Sequence, residues 1–167
     1  MALFGGIAGP VMLMLGLAST PASTASLLLN LEGLATMATA WLVFRENVDR
    51  RLLLGAGAIL AGALALSFSG PLDGVGLGGL AIAGACLAWG IDNNLTRKSA
   101  SSDPLQITAV KGVVAGTVNL VLALANGAQF PSANITMAAG LLGLAGYGVS
   151  LILFVLALRH LGTARTG

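Results

Sequence analysis

Charged residues are unusually scarce in this sequence. Asp, Glu, Lys and Arg make up 8% of the 167 residues, whereas a soluble domain carries about 25%. Hydrophobic residues make up 56%, and the mean hydropathy is +0.93. So few charges cannot cover a surface that faces water. The composition therefore excludes an ordinary soluble domain and predicts that lipid is the main solvent of the folded chain.

Cysteine and histidine are also nearly missing, with Cys86 and His160 as the single examples. A disulfide within the chain is excluded, and a metal site would need a ligand cluster that the sequence lacks. We interpret Cys86 as a small residue that faces lipid or a neighbouring helix. No glycine-rich phosphate loop and no serine with base partners is present, so we expect neither an enzyme nor a cofactor. The basic residues form no run with interleaved aromatics, which argues against nucleic-acid binding.

Apolar runs of about 20 residues, the length that crosses a bilayer, recur along the chain. Residues 1–31 contain no charge, so the start lacks the positive region of a signal peptide, and we interpret it as mature structure. Pro, Gly, Asn and charged residues separate the runs. The sequence predicts an all-α, multi-pass membrane bundle of about six helices, at residues 2–18, 22–44, 52–69, 74–96, 105–125 and 134–158.

The basic residues test this division independently. With six spans the connections alternate between two sides, and those at 19–21, 70–73 and 126–133 contain no Lys or Arg. Cytoplasmic loops carry the Lys and Arg excess. We therefore expect the cell (inner or plasma) membrane as location, with both chain ends in the cytoplasm. Seven basic residues fall on that side: Arg45, Arg50, Arg51, Arg97, Lys98, Arg159 and Arg165.

Three ionisable residues fall inside the predicted spans, where charge costs about 2.5–3.5 kcal/mol and suggests function. Glu32 lies near the middle of the second span, where it is either a titratable carboxyl of a proton-coupled carrier or a protonated, structural one. Asp92 and Lys111 flank one connection, so an ion pair is natural. If the fifth span instead runs over 112–130, Lys111 is an ordinary basic flank at the interface.

Amides and small residues complete the set of interior candidates. Asn30 and Asn93 are close in sequence to Glu32 and Asp92, and Asn119 is either a cavity group or the donor of an interhelical hydrogen bond. We place Trp41 and Trp89 in an aromatic belt near the cytoplasmic interface, and a place in a cavity wall is the less favoured alternative. Small residues let helices approach closely, and such faces are formed by Gly112 with Gly116 and by Gly74, Gly78 and Gly79.

Several stretches resemble the EamA domain of drug/metabolite transporters. From residue 20 the chain reads TPASTASLLLNLEG and then, from residue 40, AWLVFRE, followed by the glycine-rich LGAGAILAG from residue 54. The stretch WGIDNNLTRK from residue 89 resembles the first span of the family's second repeat, and LRHLGTARTG from residue 158 resembles the approach to the next span.

The resemblance implies a fold of ten helices in two inverted five-helix repeats, of which this chain holds spans three to eight. Residues 1–71 are then the last three spans of the first repeat, and residues 72–167 are the first three of the second, which is truncated.

We therefore hypothesise a secondary carrier that exports a small metabolite or drug. The alternative is a non-transporting membrane subunit, scaffold or degenerate fragment. Proton coupling and association into a homo-oligomer stay open, and the lipid bilayer and a small-molecule substrate are the expected partners. Residues expected to line or gate the path are Asn30, Glu32, Asp92, Asn93, Lys111 and Asn119.

Overall fold

Helices account for nearly all of the chain in the computed structural model, which describes residues 2–67, 76–100 and 103–166. No strand occurs within these ranges. In lipid, a helix satisfies its own backbone hydrogen bonds and a single strand does not. An apolar chain rich in Ala and Leu therefore folds as helices, and the predicted all-α class is confirmed.

Six long helical segments follow the six predicted spans. The second segment is divided at Asn30 into α2 and α3, and α7 contains a π-helical stretch at Gly143–Val149. Another π-helical stretch, Ala2–Ala8, opens α1. The helices are α1 (Ala2–Leu17), α2 (Ala22–Leu29), α3 (Leu31–Leu42), α4 (Arg50–Ser67), α5 (Leu77–Ser99), α6 (Pro104–Ala125), α7 (Ala133–Leu161) and the short α8 (Thr163–Thr166). The predicted connection at 70–73 lies outside the described residues.

Helix ends coincide with the residues that punctuate the sequence. Asp103 precedes α6, and its Oδ1 accepts the Leu105 N–H at 2.9 Å, which satisfies one of the free donors of the first turn. Asp49 does the same for α4 through the Leu52 N–H, also at 2.9 Å. This backbone hydrogen bond is the main reason that the pKa of Asp49 is lowered. Gly162 ends α7 with a φ of +84°, a conformation that favours glycine.

Helix α5 is the centre of the packing. It contacts α1, α2 and α3 along its length, and Ile82, Ala85 and Cys86 on it are fully buried. The Cys86 Sγ lies 3.5 Å from the Leu28 carbonyl oxygen of α2. Of the two interpretations of Cys86, the one in which it faces a helix is therefore confirmed.

Two glycines mark places where helices approach closely. A Cβ added to Gly90 would lie 2.8 Å from the Ala35 carbonyl carbon and 2.9 Å from the Thr36 nitrogen of α3. Gly78 packs against Ser19 and Thr20. Gly74 lies outside the described residues.

The small face expected at Gly112 and Gly116 does not pack within the described part of the chain. Nothing lies within 4 Å of a Cβ added to either glycine. Close approach therefore occurs along α5 and not along this face of α6.

The basic connections meet at one end of the bundle. Arg97 at the end of α5 donates to Glu46 Oε1 at 2.6 Å, and the Thr163 hydroxyl donates to the same oxygen at 2.9 Å. Arg165 contacts Asp49 at 3.3 Å. The structure thus joins the α3–α4 connection, the end of α5 and α8 at one end of the described bundle.

Two described helices are long and apolar enough to cross a membrane by length and composition alone, namely Pro104–Ala125 and Ala133–Leu161. Ala2–Leu17 is apolar but shorter. Most of α6 and α7 is exposed, including large apolar side chains such as Val113, Leu141 and Leu144. An exposed apolar surface of this kind suits lipid or further helices, and the chain is a helical membrane bundle.

The α3–α5 contact leads to a prediction about packing. We expect Gly90→Ala to lower the free energy of unfolding by about 1–3 kcal/mol, because the added methyl group meets backbone atoms that cannot rotate away. Gly116→Ala is the matched control, and it should be neutral or stabilising by up to about 1 kcal/mol, because alanine favours a helix more than glycine does. Loss of helicity during titration with a denaturing detergent measures both. Equal effects would contradict the close approach at Gly90.

Candidate substrate cavity

A cavity of about 320 Å³ opens inside the bundle, between α1, α3, α5, α6 and α7. It combines ionisable, amide, hydroxyl and aromatic side chains, whereas the surrounding helices are apolar. We call it the Glu32 cavity. Its lining residues are Gly5, Pro10, Glu32, Trp89, Asp92, Asn93, Lys111, Tyr147, Ser150, Leu151 and Phe154.

An ion pair joins α5 to α6 at this cavity. The Lys111 Nζ lies 2.5 Å from Asp92 Oδ2, and the two side chains are only 7% and 4% exposed. Lys111 also donates to the Thr96 hydroxyl at 3.1 Å. Because α6 begins at Pro104, Lys111 lies about two turns inside the helix. The helix thus runs over Pro104–Ala125 and not over 112–130, and Lys111 is buried against α5.

Asp92 is enclosed from a second side by α1. A Cβ added to Gly5 would overlap the Asp92 carboxylate, so only glycine permits this approach. The other carboxylate oxygen, Oδ1, is buried and has no hydrogen-bond partner among the described residues. A buried acceptor without a donor is uncommon in folded proteins and requires an explanation.

One amide from α5 contacts Glu32, and a second amide lies beside it between α3 and α5. Its Oε1 accepts the Asn93 amide at 3.4 Å, and the same amide donates to the Thr36 hydroxyl at 3.1 Å. Asn94 donates to the Thr36 carbonyl at 3.0 Å and to the Gly90 carbonyl at 2.8 Å. The absence of a side chain at Gly90 is what lets these polar groups meet.

Four of the six predicted path residues come together in this cavity: Glu32, Asp92, Asn93 and Lys111. The structure does not bring Asn30 to them, since it is exposed and donates to the Ser26 and Leu27 carbonyls of its own helix, both at 3.2 Å.

Asn119 lies apart from these four residues. It lines a different cavity of about 510 Å³ and donates to the Gly6 carbonyl at 2.7 Å. Of the two alternatives for Asn119, the structure thus contains both the interhelical hydrogen bond and a place in a cavity wall.

Sequence reasoning favoured the wrong alternative for Trp89 and missed the part of the cavity wall that α7 supplies. Trp89 lies in the middle of α5, and its Nε1 donates to the Gly5 carbonyl at 3.0 Å, so it has the cavity-wall role and not the favoured place in an interfacial belt. Tyr147, Ser150 and Phe154 come from α7. Their spacing of three and four residues places them on one helix face, and this polar and aromatic face was the available signal.

Comparisons with known proteins agree with this architecture. Residues 1–68 match the EamA-like transporter family. An uncharacterized transporter of Methanothermobacter thermautotrophicus is 32% identical over 174 residues, which cover 99% of this chain and 50% of that protein. The chain thus spans about half the length of the curated relative that it matches. No solved structure gives a significant match.

The enclosed ion pair leads to a second prediction. We expect Lys111→Met to lower the free energy of unfolding by about 3–5 kcal/mol, because it leaves the Asp92 carboxylate buried without its counter-ion. Adding Asp92→Asn to this variant should recover part of the loss. Chemical unfolding in detergent measures both.

The matched control for this comparison is Arg165→Met, which removes the exposed pair with Asp49 and should cost at most about 1 kcal/mol. If Lys111→Met were no more destabilising than Arg165→Met, the pair would not be an enclosed one.

Proposed function

We propose that the six helical segments are part of a secondary carrier for a small molecule, working in export, because residues 1–68 match the EamA-like transporter family and the whole chain is similar to half of an uncharacterized transporter. The family evidence supports a membrane transporter in general. The observation that carries the finer proposal is the Glu32 cavity, in which an acid and an ion pair from α3, α5 and α6 converge. Polar groups are retained inside an apolar bundle at a cost, and substrate or ion pathways are the usual reason.

We propose that the path runs through Glu32, Asp92, Asn93 and Lys111. Three helices contribute these groups, so small shifts of α5 against α3 or α6 change the shape of the cavity. The 2.5 Å contact between Lys111 and Asp92 suits a gate, since an ion pair has two discrete states, closed and separated. We assign Asn30 to the end of α2, where it bonds to its own helix, and Asn119 to the contact between α6 and α1.

Proton coupling is proposed at Glu32. It is the cavity carboxyl that has no counter-ion in contact among the described residues, since its described polar partner is the neutral Asn93. The other titratable or charged groups that line the cavity are Asp92, Lys111 and Tyr147. A carboxyl that alternates between protonated and ionised forms can exchange a proton for a substrate.

The proposed location is the cell membrane, with both chain ends in the cytoplasm. The meeting of Glu46, Arg97, Thr163 and Arg165 at one end of the bundle supports a single cytoplasmic face for the basic connections. We also propose the division into repeat segments 1–71 and 72–167. It is supported by the end of the family match at residue 68.

The orientation can be tested by cysteine labelling. We expect Asn47→Cys to react with a membrane-impermeant maleimide only in inside-out vesicles, and Gln129→Cys to react in intact cells. Both positions are exposed, and the native Cys86 is buried and serves as the unreactive control. Labelling of both positions from the same side would refute the alternation of the connections.

Transport itself can be tested by flux in proteoliposomes at different pH values, with the full-length relative as host. We expect substitution of Gln at the position equivalent to Glu32 to abolish the dependence of flux on a pH gradient, because the amide cannot exchange a proton. The exposed Asp49→Asn equivalent is the matched control and should leave that dependence intact. Flux that ignores pH in the unaltered protein would remove Glu32 from coupling. The absence of any flux would favour a non-transporting membrane subunit.

A further inference from the structure

We propose that the Glu32 cavity binds a monovalent organic cation, namely an amine carried on an aromatic or other apolar body. This inference deepens the proposed transport function by naming the class of substrate, and it rests on that function only for the movement of the ligand, not for its binding.

The balance of charge in the cavity is the first observation. Glu32, Asp92 and Lys111 are the Asp, Glu, Lys or Arg side chains among its lining residues. Lys111 contacts Asp92 at 2.5 Å and offsets its charge. With Glu32 ionised, the lining therefore has a net charge of −1, and apolar walls strengthen the attraction of such a site for a cation.

The second observation concerns Lys111, the cation among the described lining residues, and whether its ammonium is free to bind a ligand. The Lys111 ammonium already donates to Asp92 and to the Thr96 hydroxyl, and its residue is 6% exposed. A carboxylate or phosphate ligand, or the acid group of an amino acid, would have to displace Asp92 from it. Anionic and zwitterionic ligands are therefore disfavoured.

An unsatisfied acceptor is the third observation, and it is independent of the net charge. Asp92 is 97% buried, since its exposed fraction is 3%, and its Oδ1 accepts no hydrogen bond from the described residues. The Glu32 carboxylate has a single described amide donor at 3.4 Å. The site thus has an excess of acceptors, and a ligand that brings N–H donors and positive charge satisfies them.

The fourth observation is the aromatic wall of the cavity, which can contact both the charge and the apolar body of an organic cation. Trp89, Tyr147 and Phe154 line the same space as the acid groups. Aromatic rings attract cations through their faces and also bury apolar surface. The volume of about 320 Å³ lies within the range of small-molecule sites and leaves room for a ring beside the ammonium group.

Binding by the purified full chain in detergent tests this proposal without any need for flux. The chain has two tryptophans, so Trp41→Phe leaves Trp89 in the cavity wall as the single fluorescent reporter. Four probes of similar shape are titrated: phenethylamine, 2-phenylethanol, 3-phenylpropionate and phenylalanine. We expect a saturable change in Trp89 fluorescence with phenethylamine, and at least tenfold weaker binding of the neutral, anionic and zwitterionic probes.

Variants then locate the site. Glu32→Gln should weaken phenethylamine binding roughly tenfold to a hundredfold, as expected for loss of a hydrogen bond to a charged group. Asp49→Asn removes the same charge from the α3–α4 connection, where the side chain is about half exposed, and should leave the affinity unchanged. The ranking of the four probes on the unaltered site decides the proposal even if Glu32→Gln fails to fold.

The outcomes separate this inference from the proposed transport function. Equal or tighter binding of 2-phenylethanol, 3-phenylpropionate or phenylalanine, or undiminished amine binding by folded Glu32→Gln, would overturn the cation site while leaving transport of another substrate intact. Saturable amine binding with no flux in proteoliposomes would support the cation site and contradict transport by this chain.

Discussion

The contact between Asp92 on α5 and Lys111 on α6 is the interaction on which the polar interior of this bundle depends. Neither charge could remain buried in an apolar surrounding without the other. Their pairing lets α5 present a continuous polar face, with Asn93 and Thr96 beside Asp92, to helices that are otherwise apolar. The cavity exists because α1, α3, α6 and α7 must pack around this face without filling it.

Close helix packing in lipid requires residues without side chains at the points of contact. Gly90 admits the backbone of α3, and Gly5 admits the Asp92 carboxylate. These two glycines therefore determine where polar groups of different helices can meet. The hydrogen bonds from Asn93 and Asn94 to Thr36 lie directly beside the Gly90 contact. The missing side chain at Gly90 therefore accounts both for the close packing of α3 on α5 and for the meeting of these polar groups.

The two ends of the bundle differ in the charged side chains that they carry. At the end with the basic connections, the Glu46 carboxylate gathers Arg97, Thr163 and the Ala164 N–H, and Lys98 lies 4.7 Å from the centre of the Phe44 ring. The connection at 126–132 has no Lys or Arg and is exposed. Charged side chains that reach water can pair at low cost, whereas the cavity charges are enclosed and must be matched within the protein.

The sequence by itself determined the helical class and the positions of the helical segments that the structure describes, because hydropathy and turn residues act locally along the chain. It also indicated the ion pair, since the two residues flank one short connection. Only the tertiary structure decided that Trp89, Tyr147 and Phe154 share a wall with Glu32, that Asn30 faces away from it, and that α6 packs without Gly112. Those facts depend on the rotation of each helix about its axis, which is set by contacts between segments far apart in sequence.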